Sequence, residues 1–400
     1  MKKLVSLGLF SLGLLPIALI IILLLISFGI VPSIIYLIIR GIQYEDLSFT
    51  LFFISMIFFF FFLTEKKGKA VFYNISIIIL LLGVTEKSLT LTKKSPDPWI
   101  VTDSPGFNLP SDTLGFKHTK NFVNHSISRS GNKLLFDVHY TIDENGFRKT
   151  PEINADDSTK SIVFFGCSFT FGHGLNDNLV MPNIVQNLVQ NKYKVYNFSA
   201  SGYGTHQMLA AIEYNMVDSI VKYQPKIFIY DAIEDHLNRL LNLVGYSAHT
   251  PKYILDPITN EVKHVGRFDD IQYNNNVIES KITNSEIYNL FKKKQADSSD
   301  VKLLVAMVKK SQMLLKKKYP ESEFHVIFYN RTWMPLDSIM IRGLKKSGIK
   351  VHRVTDIVPD YYTSLPKYCV SFPTEQHPNG LLNKKIADYI VNNIVSASKD

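Results

Sequence analysis

Between Leu4 and Ile39 the chain carries no charged side chain. A run of that length and apolarity belongs in a bilayer, not on the surface of a water-soluble fold. Two further apolar runs follow, Leu47 to Leu63 and Ala70 to Val84, and after Thr85 the composition becomes that of an ordinary soluble protein. Residues 1–88 therefore read as a membrane anchor and the remainder as globular.

As a single helix the first run would be about 54 Å long, against a hydrocarbon core of about 30 Å. It is either one span with an extension or two cramped spans. Lys2 and Lys3 precede it, Lys66, Lys67 and Lys69 link the second and third runs, and Arg40 stands with Glu45 and Asp46 in the link between. Three spans put both lysine clusters on the cytoplasmic side and the globular part outside. Four would place Lys66–Lys69 outside, and a third run lying only in the interface would turn the globular part inward. The expectation is an anchor of about three transmembrane helices with an extracytoplasmic domain. A cleaved signal peptide is not expected, because no small-residue cleavage pattern follows the first run.

The formal charge is +9, but its lysines are scattered in pairs and triplets: Lys292–Lys294, Lys309 and Lys310, Lys316–Lys318, Lys345 and Lys346, Lys384 and Lys385. Most fall on helical stretches, the pattern of solvated helix faces, so no nucleic-acid partner is expected. Cys167 and Cys369 are the two cysteines and have no metal-binding spacing. They are expected as two unpaired buried thiols, with a disulfide open outside the cytoplasm. Neither a metal nor a cofactor is expected.

Residues 89–158 form a preamble rich in turn formers, with Ser-Pro-Asp-Pro, Asp-Ser-Pro-Gly and Asp-Glu-Asn-Gly between short segments. Leu134 to Ile142 alternates as a strand does, so a few antiparallel strands are expected here, away from the chemistry.

From residue 159 to 400 short apolar strands alternate with helical stretches. The strands are Ile162–Phe165, Lys194–Phe198, Ile227–Tyr230, Phe324–Tyr329 and Lys350–Val354. The clearest helix runs from Asp300 to Lys318, where Leu304, Met307, Val308, Ser311, Leu314 and Leu315 share one face and Pro320 follows. This alternation predicts a doubly wound, flavodoxin-like α/β fold: a parallel sheet with helices on both faces. Residues 240–300 read as an insertion whose Lys252–Val265 part is a hairpin able to shape a cleft beside a site.

Ligands of such sheets sit beyond the carboxyl ends of the strands. Gly166-Cys167-Ser168 follows the first strand, Ser201-Gly202-Tyr203-Gly204 the second, Glu234-Asp235-His236 the third, and Glu375-Gln376-His377-Pro378-Asn379 comes late, before a closing helix from Leu381 to Ile394. Serine, a glycine turn, and a carboxylate beside a histidine are the parts acyl transfer needs. A serine hydroxyl requires a base, and the imidazole requires a partner that fixes its tautomer.

These motifs, in this order, resemble the SGNH (GDSL-type) serine hydrolase superfamily over about Ser161 to Ile394. The resemblance implies Ser168 as nucleophile, His377 as its base, Glu375 as the orienting carboxylate, and the N–H groups of Ser168 and Gly202 as oxyanion donors. The chain departs from the family at three positions. Glu375 replaces the usual Asp, with Thr374 one residue earlier. Cys167 stands where Asp is commoner. Glu234 occupies the place of an oxyanion asparagine, and an ionised carboxylate donates no hydrogen bond. His236 or Asn238 could donate instead, or the site uses backbone donors alone. The Asp235–Arg239 cluster reads equally as a substrate turn or as an ion-pair corner. Tyr203 lines the pocket or caps the core, Gly172 and Gly174 serve backbone geometry, and His173 and His206 are left as loop histidines.

The expected function is a membrane-anchored serine esterase that removes O-acyl groups from a glycan or lipid through an acyl-enzyme. The alternatives are an O-acyltransferase of envelope polysaccharide using the same Ser168 and His377 with a membrane partner, and a non-catalytic glycan-binding or scaffold module.

Overall fold

The computed structural model describes residues 51, 52, 54–59, 69–92, 99–244, 249–272, 285, 287, 296–330 and 335–398. The Leu4–Ile39 run, the lysines at 66 and 67 and those at 292–294 lie outside the described residues, as does much of the Leu47–Leu63 run. Two units are distinguished by their internal contacts: residues 1–94 with 275–293, and residues 95–274 with 294–400.

In the first unit the third apolar run is the core of a helix, Lys69–Thr92, of 24 residues. It is longer than its apolar stretch, which ends at Val84, because the polar residues that follow bond back onto the helix. Thr85 Oγ1 donates to Leu81 O at 2.8 Å, Ser88 Oγ to Val84 O at 2.8 Å and Thr90 Oγ1 to Glu86 O at 2.9 Å. Of three expected spans, Ala70–Thr90 is the one helix among the described residues long and apolar enough to cross a membrane. Ser55 and Ser76 exchange hydroxyl-to-carbonyl hydrogen bonds of 2.8 and 2.9 Å, which satisfies both hydroxyls in apolar surroundings. Glu86 Oε2 accepts from Ser285 Oγ and from the Ile287 N–H, each at 2.9 Å. The later part of the 240–300 insertion thus folds with the first unit.

The second unit is built on a parallel sheet of five strands: β6 (Lys160–Phe165), β7 (Tyr193–Asn197), β8 (Pro225–Ala232), β11 (Glu323–Phe328) and β12 (Lys350–Arg353), in the spatial order β12-β11-β8-β6-β7. All five expected strands are present within two residues of their expected ends. Numbered along the chain this is the 2-1-3-4-5 order of flavodoxin-like sheets, whose switch point falls between β6 and β8. Strand β8 is buried throughout, as a central strand covered on both faces must be. Alternation divides the core in two. Val163, Phe165, Phe228, Tyr230, Val326 and Phe328 pack with the helix Val301–Lys318 on one face, while Ile162, Phe164, Ile227, Ile229 and Ile327 pack with the helix Gly380–Ile390 on the other.

The preamble forms an antiparallel sheet β1-β4-β5 (Trp99–Thr102, Val123–Ser130, Lys133–Thr141) and a hairpin of β2 (Asn108–Ser111) and β3 (Gly115–His118). Its small core of Phe107, Leu135, Phe136, Val138, Tyr140 and Ile142 includes Phe171, from the turn after β6. Strands β9 (Pro251–Leu255) and β10 (Val262–Arg267) form the expected hairpin of the insertion. It packs on the helices Thr205–Glu213 and Val301–Lys318, not beside the catalytic candidates. A last hairpin, β13 (Cys369–Ser371) and β14 (Glu375–Pro378), stands where a loop was expected.

Candidate active site

Strand β6 ends at Phe165, and Gly166-Cys167 leads into a short helix that starts with Ser168. Gly166 is dictated by close approach: a Cβ there would lie 2.0 Å from Thr170 Oγ1. The turn is closed by the Phe171 N–H donating to Cys167 O (2.8 Å) and the Gly172 and His173 N–H groups donating to Ser168 O (3.0 and 2.9 Å). Ser168 is only 5% exposed.

The base arrives from the opposite end of the sequence. Because β14 is a strand, residues two apart share a face, and Glu375 and His377 point the same way. Asn379 closes the delivery: its side-chain oxygen accepts from the Leu381 and Leu382 N–H groups at 3.1 and 3.2 Å and caps the following helix. His377 Nε2 lies 2.7 Å from Ser168 Oγ, and His377 Nδ1 bonds Glu375 Oε1. An ionised carboxylate only accepts, so Nδ1 carries the proton and Nε2 is left to accept from the serine hydroxyl. Glu375 is 1% exposed. Burial by itself would push its carboxyl up, but hydrogen bonds from His377 and the nearby imidazoles hold it below the usual value. The arrangement is that of a serine hydrolase's nucleophile, base and orienting carboxylate.

A fourth side chain belongs here that the motifs did not single out. His173 Nε2 faces Glu375 Oε2 at 3.7 Å, and its ring centroid is 4.6 Å from that of His377. Burial first, then the neighbouring His377, lowers His173 to about 3, so it is a neutral imidazole. Its position between Gly172 and Gly174, both with positive φ, was the available signal of a loop held in one shape. His173, Glu375 and His377 bring ligand-type atoms within 4.8 Å of one another. His377 already spends both ring nitrogens on Ser168 and Glu375.

The loop carrying His173 is held by Arg148, which is 1% exposed. Its Nε donates to Asp177 Oδ1 at 2.8 Å, and its NH groups donate to the carbonyls of Phe171 (3.1 Å), Gly172 (3.3 Å) and Leu175 (2.8 Å). The guanidinium also sits against Tyr140 and Phe171, 4.4 and 4.9 Å from their centroids.

Two cavities open at Ser168. One, of about 350 Å³, is the more polar: Glu234, Asp235, Asn238, Thr374 and Gln376 line it together with Ser168, His377, Phe169 and Ile233. The other, of about 680 Å³, is mainly apolar and is lined by Ser168, Gly202, His377, Trp99, Val101, Phe107, Phe116 and Tyr140 among others. Trp99 and Arg239 border both. A larger cavity of about 980 Å³, beside the Val301–Lys318 helix, contains none of the catalytic candidates.

The preamble is thus part of the site, contrary to the expectation that chemistry lies elsewhere, because its strands pack directly onto the Ser168–Phe171 turn. Gly202 takes a φ of +97°, which a glycine adopts without strain, and lines the apolar cavity with Ser168. Tyr203 caps the core, buried, with its hydroxyl donating to Phe116 O at 2.6 Å. His236 is not presented to substrate: it is fully buried, with Nδ1 bonded to the Tyr230 hydroxyl at 2.6 Å. Asp235 and Arg239 form an ion pair (2.7 Å), and Arg239 also donates to Tyr203 O at 2.5 Å, so the cluster ties the glycine turn to the third strand while lining the cavities. Glu234, at the place of the expected asparagine, and Asn238 remain on the polar wall with the Asp235–Arg239 ion pair. Cys167 and Cys369 are both buried, each as a thiol.

No family model matches the chain, and no curated protein matches it. Among solved structures it is similar to an acetyl xylan esterase from the rumen bacterium Butyrivibrio proteoclasticus, with 10% identity over 75% of this chain and 89% of that one and a TM-score of 0.34. It is also similar to a lipolytic protein of the G-D-S-L family from Desulfitobacterium hafniense, with 10% identity, 57% and 96% coverage and a TM-score of 0.33. A family two carbohydrate esterase from Clostridium thermocellum matches with 13% identity, 67% and 70% coverage and a TM-score of 0.32. At these scores the likeness transfers no activity to this chain, whose sheet order and hydrogen-bonded serine, histidine and glutamate stand on their own geometry.

Proposed function

We propose that the chain is a serine esterase that removes O-acyl groups from a glycan or lipid through an acyl-enzyme on Ser168. One observation carries the reading: an unbroken hydrogen-bond chain from Ser168 through His377 to Glu375, set where two cavities meet. As Ser168 Oγ attacks the ester carbonyl, His377 Nε2 takes its proton and Glu375 stabilises the imidazolium. The developing oxyanion is met by the Ser168 and Gly202 N–H groups. His377 then protonates the departing alcohol, and a water activated by the same imidazole releases the acid.

The unit is proposed to be carried by a membrane anchor, with the three-span arrangement placing it outside the cytoplasm. The helix Ala70–Thr90 and the apolar runs before it support attachment. A reporter active only in the cytoplasm, fused after Asp400, would overturn that orientation by giving a signal.

The test of the chemistry uses the full chain in detergent with a fluorophosphonate probe and p-nitrophenyl acetate. Labelling at Ser168 and ester hydrolysis are expected, both lost in Ser168→Ala. Equal labelling in that variant, or none in either, would refute an esterase. Acylated sugar formed in preference to free acid on adding a glycan acceptor would favour an acyltransferase.

A further inference from the structure

We propose that the strands ahead of the α/β sheet build an acyl pocket, so that the chain prefers a medium-length hydrocarbon acyl group to acetyl and seats a hydroxyl-rich alcohol in the polar cavity. This rests on the esterase reading above and adds the substrate's two halves.

The apolar cavity of about 680 Å³ far exceeds an acetyl group, and most of its hydrophobic wall comes from the preamble: Trp99, Val101, Phe107, Phe116 and Tyr140, with Phe171 from the turn after Ser168. These side chains are fixed before any substrate arrives. Phe116 meets Tyr203 edge-on at 5.1 Å, Phe107 stacks on His118 at 4.2 Å, Tyr140 meets Phe171 edge-on at 5.1 Å, and Trp99 Nε1 donates to Ser128 Oγ at 2.9 Å. A preformed apolar wall binds a hydrocarbon chain without an ordering cost at the wall. Polar side chains at its margin are tied to neighbours: His118 Nδ1 to Asn108 Oδ1 and Asn124 Nδ2 to Asp103 Oδ1, each at 2.8 Å.

The two halves are assigned by what flanks the serine. Gly202, on the oxyanion side, lines only the apolar cavity, whereas Thr374, Glu375 and Gln376 from the base's own strand line only the polar one. The leaving oxygen must stand beside His377 to receive its proton, so the alcohol falls among Glu234, Asp235, Asn238 and Gln376, groups suited to sugar hydroxyls. Trp99, 51% exposed, forms the ridge between the halves.

The full chain in detergent is assayed with p-nitrophenyl esters from acetate to decanoate and, separately, with acetate esters of alcohols from ethanol to decanol. Expected is a kcat/KM that rises with acyl length, by roughly four-fold for each methylene buried, and that Val101→Trp flattens by lowering the octanoate-to-acetate ratio. Hydrolysis with a flat or acetate-favouring acyl profile, or a preference carried by the alcohol chain, would overturn the acyl pocket and leave the esterase standing. Should no ester be hydrolysed, the esterase falls, and the pocket is read by photocrosslinking of a diazirine-bearing octanoic acid. Adducts within residues 99–140 support it, and adducts elsewhere or none refute it.

Discussion

His377 Nε2 lies 2.7 Å from Ser168 Oγ although the two residues are 209 positions apart in the chain. Strand β6 and hairpin β13–β14 bring them together from opposite ends of the unit, and their acid partner sits two residues from the histidine on the same strand face.

Glu375→Gln should lower kcat by about 10²–10⁴-fold, since a neutral amide neither stabilises the imidazolium nor fixes the tautomer. Fold and melting temperature should change little by comparison. Ser168→Ala, His377→Ala and the double variant should fall to a common floor, because residues acting as one unit are not additive. Steady-state kinetics on the four proteins check this, and a double variant losing the product of the two single effects would contradict it.

Arg148→Met should destabilise the protein by about 3 kcal/mol, chiefly through the buried carbonyls it leaves without a donor. It strips the carbonyls of Phe171, Gly172 and Leu175 of a buried donor and leaves Asp177 without its guanidinium partner. Those carbonyls belong to the loop that carries His173, so activity measured well below the melting temperature should fall as well. Denaturant titration and initial rates on the same preparation separate the two effects; a variant with unchanged stability would show that the loop does not depend on this anchor.

Acid should destabilise the chain earlier than carboxylate protonation alone would. His118, His173 and His206 are each lowered to about 3, chiefly by burial, with Arg148 added for His118, His377 and Arg148 for His173, and Arg239 for His206. The unfolded chain therefore binds protons on these rings that the folded one does not between about pH 6.5 and the lowered values. Stability rises with pH across that window and is lost as pH falls through it, by roughly 1.4 kcal/mol per pH unit for each histidine. Denaturant midpoints measured from pH 7.5 to 4 should show this slope, reduced in His206→Phe. An identical slope in the variant would exclude His206 as a contributor.

The sheet was legible in the sequence for a physical reason. Strands such as β6 and β8 are covered on both faces, so they read as unbroken apolar runs, and the chemistry follows their carboxyl ends. Glu375 and His377 were legible because one local segment delivers both. What was not legible depends on pairings distant in the chain. The apolar cavity exists because Phe116 packs on Tyr203, 87 residues away, and nothing local to Trp99 or Phe107 announces a ligand wall. His236 looked available beside two carboxylates, yet a bond to Tyr230 and the packing of its short helix turn it into the core. Arg148 gave no local sign, since its partners become neighbours only once the preamble docks on the turn after Ser168.

Residues 275–293 fold with the first unit although the chain on both sides of them belongs to the second. The backbone therefore passes from one unit to the other at three places, after residues 94, 274 and 293. Cutting before Ser95 would not release a self-sufficient enzyme, because it would strand the Ser285 hydroxyl and the Ile287 amide without the carboxylate of Glu86 that both bond. Separating the second unit calls for two excisions, with residue 274 rejoined to residue 294. After a single nick at residue 94, the fragment 95–400 is no longer joined covalently to residues 1–94 but still carries residues 275–293, which fold with the first unit.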